Sequence, residues 1–199
     1  MKYPKMCNLF NHEGKMSHPV AWYLRDCEWL FLEKIDGTNI RVIFDENGRR
    51  TVKGRTDRAV LLPRLIDVVM EATKEVELHN AIIYGEGFGG KIQAGAARYG
   101  ADLQFQAFDL LYLDNNHWGE WEDLEELPCP TVPAVWNGLL IDGALGVVKG
   151  WKSIFSDALS EGLVARPVCP GLRMYGGTPI RAKLKHCNML GKPELLGGF

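Results

Sequence analysis

The sequence predicts an α+β domain built on antiparallel β-sheets with flanking helices. Short apolar runs bounded by turn residues recur along the chain, and Glu46-Asn47-Gly48 joins two of them through a turn typical of a hairpin. Residues 60–78 carry the strongest helical periodicity. A chain of 199 residues is long enough for one well-filled domain and too short for two, so we expect a single domain over residues 1–199.

The elements follow from the local pattern. Residues 1–28 break periodicity and predict an irregular lead-in with one or two short elements. Apolar or alternating runs predict strands at 29–35, 39–45, 49–55, 81–86, 103–113, 163–167 and 179–187.

The helical predictions rest on spacing and on proline. In the helix expected at 60–78, Pro63 suits an early position, and Leu65 and Val69 belong to one apolar face. We expect residues 118–133 to form an acidic loop with one helical turn. Residues 151–159 predict a short amphipathic helix.

Composition excludes several classes of protein. The formal net charge of -2 argues against a uniformly cationic coat for nucleic acid, although basic residues cluster at 49–58 and 181–185. Five scattered cysteines form no Cys-x-x-Cys pair and have no histidine at zinc-ligand spacing, which indicates free thiols in a reducing compartment. The polar N-terminus and the lack of an 18-residue apolar run predict a soluble, cytoplasmic protein without a membrane partner.

One lysine lies where nucleophilic chemistry is plausible. Lys34 follows the apolar run 29–32 and precedes the turn Asp36-Gly37, so it is expected at the end of a strand. A lysine at such a position can be partly desolvated, which favours the neutral amine that attacks electrophiles. Taken alone, the pattern also fits an ordinary hairpin.

Further motifs follow Lys34 in a fixed order, and together they resemble the covalent nucleotidyltransferase superfamily. That superfamily contains the ATP- or NAD-dependent polynucleotide ligases and the GTP-dependent mRNA capping enzymes. The matching motifs, which span about three quarters of the chain, are Lys34-Ile35-Asp36-Gly37, Gly85-Glu86, Phe108-Asp109-Leu110, Glu161-Gly162-Leu163-Val164 and Lys183-Leu184-Lys185. The resemblance implies the ATP-grasp-like nucleotidyltransferase fold of ligases.

The resemblance implies a covalent mechanism with four catalytic residues. Lys34 would attack ATP to form a lysyl-AMP, assisted by Lys183, Lys185 and Glu161. Alternate residues of a strand share one face, so the two later lysines can converge on one phosphate while Leu184 points into the core. Magnesium, or manganese in its place, would neutralise the triphosphate, and its candidate ligands are the carboxylates of Glu161 and Glu86.

The resemblance also implies a nucleotide-binding set. Phe108 would stack on the purine and Glu86 would contact the ribose, with Gly85 and Gly87 letting the backbone approach the sugar. The complete set is Glu33, Ile35, Asn39, Arg55, Glu86, Phe108, Lys183 and Lys185.

The branch of the superfamily depends mainly on Asn39. DNA ligases usually carry arginine at this position, whereas Glu33 before the nucleophile and Gly37-Thr38-Asn39 after it are similar to the nick-sealing RNA ligases. Asp36 departs from the histidine common in that group and leaves DNA ligases and capping enzymes open. A non-catalytic nucleic-acid-binding module is a further alternative.

The chain ends 14 residues after Lys185, which leads us to expect a bare nucleotidyltransferase domain with no OB-fold or helical C-terminal domain. The expected partners are ATP and nicked duplex RNA or an RNA/DNA hybrid, with the protein acting as a monomer. Such a module leaves room for a separate protein that grips the duplex, and for a viral origin with activity in a host cytoplasm.

Overall fold

The computed structural model describes residues 1–90, 92 and 96–198. The chain divides into two compact units: unit 1 comprises residues 1–3 and 36–132, and unit 2 comprises residues 4–35 and 133 onward. Each unit contains one five-stranded sheet. The mixed architecture of antiparallel-rich sheets with few helices confirms the predicted α+β class. The single nucleotidyltransferase domain over 1–199 stays a prediction.

The strands in chain order are β1 (Cys7–Asn8), β2 (Glu28–Glu33), β3 (Thr38–Phe44), β4 (Arg50–Gly54), β5 (Ala81–Phe88), β6 (Gln104–Tyr112), β7 (His117–Trp118), β8 (Ala134–Leu139), β9 (Gly162–Pro167) and β10 (Ala182–Lys185). The α-helices are α1 (Pro63–Ala72), α2 (Trp121–Glu125), α3 (Leu140–Lys149) and α4 (His186–Met189). Two 3₁₀ helices span Ala96–Tyr99 and Pro193–Gly198. Among the described residues, no helix is long and apolar enough to cross a membrane.

Unit 1 is an antiparallel sheet in the order β4-β3-β5-β6-β7. Successive side chains of a strand point to opposite faces, and here the two faces differ in character. The face near α1 is apolar, with Ile40 on β3 and Leu65 on the helix both buried. The opposite face carries polar side chains that are nevertheless buried, including Arg41 and Asp109. The sheet therefore has one apolar face that packs near α1 and one face that carries buried polar side chains.

Unit 2 has the strand order β1-β10-β9-β2-β8, in which β1 pairs with β10 in parallel and the other pairs are antiparallel. Its core consists of strand and α3 side chains that are almost fully buried, among them Trp29, Phe31, Leu163, Leu184 and Val147. Burial of such large apolar side chains contributes about 1.5–3 kcal/mol each to folding. This core fixes the strand ends that carry the candidate catalytic residues.

The predicted strands are present with boundary differences of one to three residues, except that the segment 179–187 is strand only at 182–185 and then becomes α4. The helix predicted at 60–78 covers only Pro63–Ala72, because Leu62 before the proline is extended and Thr73 departs from the helical conformation at the other end. The lead-in contains β1, and α2 is the single helical turn expected within 118–133.

The helix predicted at 151–159 is wrong. Lys152 and Leu159 form a bridge, and Ser153 N–H donates to Ala158 O at 2.9 Å, so the segment is a closed loop. The buried carboxylate of Glu33 accepts hydrogen bonds from Ser153 and Ile154 and holds the loop from a distant strand. The real helix, α3, lies directly before it and escaped prediction because Gly143 and Gly146 weaken its helical signal.

Gly143 is predicted to be a packing requirement of unit 2. A Cβ there would lie 2.0 Å from Cε1 of the fully buried Phe31. We expect Gly143→Ala to lower the free energy of unfolding by about 1–3 kcal/mol despite the better helix propensity of alanine. The measurement is urea unfolding of Gly143→Ala, Phe31→Leu and the double variant.

Relief of the clash should make the double variant more stable than the sum of the single effects by at least about 0.5 kcal/mol. Gly146→Ala is the matched control in the same helix, since the atoms nearest to its Cβ would be ring carbons of the half-buried Trp136 at 3.1 Å and Trp151 at 3.9 Å. Strict additivity of Gly143→Ala and Phe31→Leu would contradict this packing.

Candidate active site

Unit 2 brings three lysines and one glutamate together, and these four residues are called the lysine cluster: Lys34, Glu161, Lys183 and Lys185. Lys34 Nζ donates to Glu161 Oε2 at 2.5 Å, and Lys185 Nζ donates to Glu161 Oε1 at 2.7 Å. The side chains of Lys34 and Glu161 are each 19% exposed. The four residues predicted to be catalytic thus come from three strand ends of one sheet.

The backbone explains how Glu161 reaches the two lysines. Gly162 has a φ of 141°, and a Cβ there would lie 2.0 Å from Leu184 O. Only glycine allows so close an approach of β9 to β10, where Gly162 pairs with Lys185. Lys34 N–H also donates to Gly162 O at 2.9 Å, so this one glycine locates both ion pairs.

Strand alternation places the two β10 lysines as predicted. Leu184 is fully buried in the core, whereas Lys183 and Lys185 lie on the other face of the strand. Three ammonium groups therefore accompany one carboxylate. The lysine cluster keeps an excess of positive charge, which is suited to an anionic ligand such as a polyphosphate.

The electrostatics of the lysine cluster follow from this imbalance. Burial alone would raise the pKa of Glu161, but the charge of Lys34 and hydrogen bonds from Lys185 and Lys34 outweigh it, so the pKa is lowered and the carboxylate stays ionised. Burial lowers the pKa of Lys183, and the positive charges of Lys34 and Lys185 lower it further. Lys183 has no ion pair with any residue that the structure describes.

His186 was not predicted, and its hydrogen bonds hold the backbone next to the lysine cluster. Its Nε2 accepts a hydrogen bond from Trp151 N–H at 3.0 Å, so Nδ1 is the donor to Ser160 O at 2.7 Å. Burial lowers the pKa of His186, in agreement with this neutral tautomer. The contacts hold the backbone that leads into Glu161, and no sequence motif marks them.

Glu33 and Ile35 flank the nucleophile candidate but are deeply buried. The Glu33 carboxylate is 2% exposed, and it accepts hydrogen bonds from Ser153 Oγ at 2.6 Å and Ile154 N–H at 2.7 Å. Ile35 is 5% exposed. The carboxylate therefore fastens the loop at 153–154, and a role of either residue toward a nucleotide stays a prediction.

Unit 1 aligns further predicted residues across its sheet. Asn39, Glu86 and Gln106 lie directly opposite one another on β3, β5 and β6, and these three residues are called the polar row. Directly opposed residues have Cβ atoms about 5 Å apart. Arg55 is exposed and comes one residue after the end of β4. Gln106 was not predicted, and its polar character alone is no signal of function.

Asn39 has an unmet hydrogen-bonding capacity. Its Oδ1 is buried and has no hydrogen-bond partner among the described residues. A buried acceptor left unpaired costs about 1–3 kcal/mol, so such an atom is normally matched by a donor from a ligand or from water. The Asn39 Oδ1 atom is therefore available to a donor from a ligand or from water.

The glycines at positions 85 and 87 are required by the packing of the sheet. A Cβ at Gly85 would lie 2.3 Å from Phe105 Cε2, and one at Gly87 would lie 2.9 Å from Leu65 Cδ1. Both positions face the packed side of the sheet, and the expectation that they let the backbone approach a sugar stays a prediction. They are small because Phe105 and Leu65 fill the space above them.

Phe108 lies in a β-bulge. Tyr84 pairs with Asp109 and Gly85 with Ala107, which leaves Phe108 as the extra residue of β6. Bulges of this kind redirect side chains and are frequent beside functional sites. The half-buried Phe108 ring meets the Tyr3 ring edge-on at 5.2 Å, and Tyr3 OH donates to Asp109 Oδ2. Tyr3 was missed because it lies in the irregular lead-in.

The two predicted metal ligands belong to different units, Glu161 to unit 2 and Glu86 to unit 1. Among the described residues, no group of three or more His, Cys, Asp or Glu side chains is arranged to hold a metal ion. Glu161 instead holds two ammonium groups, as described above. The side chains alone thus form no closed metal site in the described part of the chain.

The fold and the lysine cluster define an RNA ligase-like nucleotidyltransferase domain. A family model described as RNA ligase matches residues 27–184, and the chain belongs to the RNA ligase family. Among curated proteins none matches the chain.

Solved structures of an RNA ligase from Naegleria gruberi share the fold. An apo form has 14% identity and a TM-score of 0.66, with coverage of 98% of this chain and 57% of that one. A form with ATP and Mn has 14% identity, a TM-score of 0.62 and coverage of 91% and 54%. A form with AMP and Mn has 12% identity, a TM-score of 0.64 and coverage of 100% and 58%. The chain spans just over half the length of these proteins.

The ion pairs of Glu161 predict a pH dependence of stability. Because the folded-state pKa of Glu161 lies below its ordinary value of 4.5, its contribution is fully present above that value and is lost as pH falls through the folded pKa. We expect Glu161→Gln to cost about 1–2 kcal/mol at pH 7 and progressively less below about pH 4.5.

Urea unfolding of both proteins from pH 7 to pH 3 measures this difference. Glu13→Gln is the control, because Glu13 pairs with Lys15 on the exposed surface of the same unit and should contribute little at any pH. A difference between wild type and Glu161→Gln that stays constant over this range would contradict the ion-pair account.

Proposed function

We propose that the protein is an ATP-dependent RNA ligase that seals 3′-OH/5′-phosphate nicks through a lysyl-AMP intermediate. The observation that carries the proposal is the contact of Lys34 and Lys185 with the single carboxylate of Glu161, in a chain of the RNA ligase family. A partly buried nucleophilic lysine with an adjacent acceptor and an excess of positive charge suits attack on a phosphorus atom.

The first step makes a covalent enzyme. The Lys34 ammonium first gives up a proton to solvent, and the neutral amine then forms a bond to the α-phosphorus of ATP while the bond to the pyrophosphate leaving group breaks. The nitrogen loses a second proton to solvent, and Glu161, already hydrogen-bonded to Lys34 Nζ, holds the amine in position for the attack. Lys183 and Lys185 stabilise the negative charge on the phosphate oxygens, where electrostatics and positioning supply most of the catalysis.

Two further transfers complete sealing. The AMP passes from Lys34 to the 5′-phosphate of the nick, which restores the free amine. The 3′-OH then attacks that phosphate, forms the phosphodiester bond and displaces AMP. The proposed substrates are nicked duplex RNA or an RNA/DNA hybrid, bound by a monomer in the cytoplasm, with a separate protein able to assist the grip on duplex.

The residues of unit 1 are proposed to hold the nucleoside. Phe108 stacks on the adenine, which is worth about 1–3 kcal/mol per base. Glu86 accepts from the ribose hydroxyls, and Asn39 and Arg55 bind the sugar and phosphate. Support comes from the bulge at Phe108 and from the unpartnered Asn39 Oδ1. Glu33 and Ile35 are proposed to line the base through their backbone, since the Glu33 carboxylate has other partners.

Of the two carboxylates proposed as metal ligands, Glu161 is the one suited to bind a divalent cation. Magnesium is commonly held by one or two carboxylates together with substrate phosphates and water, so Glu161 suffices once it exchanges an ammonium group for the ion. Glu86 is the second proposed ligand. Magnesium or manganese would neutralise the triphosphate, and the RNA ligase from Naegleria gruberi is described with Mn and either ATP or AMP.

The proposal predicts covalent labelling of Lys34. Incubation with α-labelled ATP and magnesium should attach label to the wild-type protein, and Lys34→Ala should not be labelled because the nucleophile is gone. Denaturing gel electrophoresis measures the label, and Lys149→Ala, which removes an exposed lysine of the same unit, is the control expected to label normally.

A wild-type protein that takes no label would remove the ligase proposal. Label from GTP in place of ATP would move the activity to capping-type guanylyl transfer. Binding of nucleic acid without any pyrophosphate release would favour a non-catalytic module.

A second prediction concerns Asn39 and the sugar at the nick. The Asn39 amide can accept a hydrogen bond from a hydroxyl, which the arginine of DNA ligases cannot do. We expect an all-DNA nick to be sealed at least about tenfold more slowly than a nick with RNA on the 3′-OH side, about 1.4 kcal/mol. Asn39→Ala should impair sealing more than lysyl-AMP formation.

A panel of nicked duplexes, with RNA or DNA separately at the 3′-OH strand, the 5′-phosphate strand and the template, measures this preference. Asn47→Ala, in an exposed hairpin turn of the same unit, is the control. Equal rates on all-DNA and RNA-terminated nicks would favour a DNA ligase instead.

A further inference from the structure

The short strand β1 places Asn8 beside Lys183. The two residues are partners in the parallel pair of β1 and β10, and Leu9 N–H donates to Lys183 O at 2.8 Å. Neighbouring strands lie about 4.8 Å apart. Leu9 and Leu184 are fully buried, so Asn8 and Lys183, the residues directly before them, share the opposite face of the sheet.

The side chain of Asn8 has a buried atom without a partner. Its Oδ1 makes no hydrogen bond with any described residue, although the atom is shielded from solvent. The strand itself is held by other groups, since Ser17 Oγ donates to the backbone carbonyl of Asn8 at 2.9 Å. The amide is therefore not needed to fasten β1, and its acceptor is open to a donor.

Lys183 has no ion-pair partner among the described residues, and the Asn8 amide oxygen can serve as a hydrogen-bond acceptor for it. The titratable groups that act on the pKa of Lys183 are Lys34 after β2, Lys185 on its own strand, Glu161 before β9 and Cys7 on β1. Burial and the two lysines disfavour its charged form, whereas Glu161 and Cys7 favour it. Glu161 is already shared by Lys34 and Lys185. A nearby neutral acceptor would stabilise the ammonium without competing with a phosphate for positive charge.

We propose that Asn8 is a positioning residue for Lys183, whose ammonium donates a hydrogen bond to Asn8 Oδ1 after rotation of the flexible lysine stem. The bond keeps Lys183 charged and directs its remaining two donors toward the phosphate. This inference rests on the proposed function only for its consequence in catalysis, because the proposed hydrogen bond needs no substrate to form.

The test is an NMR titration of the lysine side chains in the whole protein, with the Lys183 signal assigned by its loss in Lys183→Arg. Asn8→Ala removes the acceptor and should move the titration of Lys183 to lower pH than in wild type. Asn8→Asp keeps the size of the side chain, adds a negative charge and should move it to higher pH. Opposite directions are not expected from a general loosening of the strand.

Asn188→Ala is the matched control. Asn188 Nδ2 donates to Phe10 O at 3.1 Å and so holds the same N-terminal segment without facing Lys183, and its loss should leave the Lys183 titration unchanged. An unchanged titration in Asn8→Ala, or shifts of the same sign in both Asn8 variants, would overturn the inference.

The consequence for catalysis is measured separately. At alkaline pH, Asn8→Ala should form lysyl-AMP about tenfold more slowly than wild type, because Lys183 loses the hydrogen bond that keeps it charged. Failure of the wild type to label would refute the proposed function, while the titration still decides the role of Asn8. Normal labelling by Asn8→Ala together with an unshifted titration would refute the inference alone.

Discussion

The carboxylate of Glu161, held between the ammonium groups of Lys34 and Lys185, is the interaction on which the rest of unit 2 depends. It requires three strand ends to meet within hydrogen-bond distance, and the glycine at 162 is the residue that lets the backbones approach. The buried core beneath β9 and β10 fixes those ends, and His186 secures the segment before Glu161. The packing of the core, the backbone conformation at Gly162 and the charges of two lysines thus together determine the position of the Glu161 carboxylate.

The same arrangement leaves unmet needs that a ligand can satisfy. The three lysines repel one another more than one glutamate can offset, and without a bound anion this repulsion lowers the free energy of unfolding. In unit 1, the Oδ1 atom of Asn39 is an acceptor with no donor among the residues that the structure describes. Local features that oppose stability are typical of functional sites, where the ligand supplies the missing partner. ATP offers both an anion and hydroxyl donors.

Much of this could be predicted from local sequence, and the failures have a common physical cause. The position of Lys34 follows from the apolar run before it, and the shared face of Lys183 and Lys185 follows from strand alternation. The loop at 151–159 depends on the carboxylate of Glu33, about 120 residues away, which no local pattern reveals. Tyr3 and Asn8 also contact residues that are far away in the sequence, so no local pattern in the irregular lead-in marks them.

The central claim is that Lys34, and not another amine of the lysine cluster, is the nucleophile. Mass spectrometry of peptides from the protein, digested after incubation with ATP and magnesium without nucleic acid, identifies the modified residue directly. The account predicts an AMP adduct on the peptide that contains Lys34, lost when pyrophosphate is added back. An adduct on Lys183 or Lys185, with Lys34 unmodified, would contradict it.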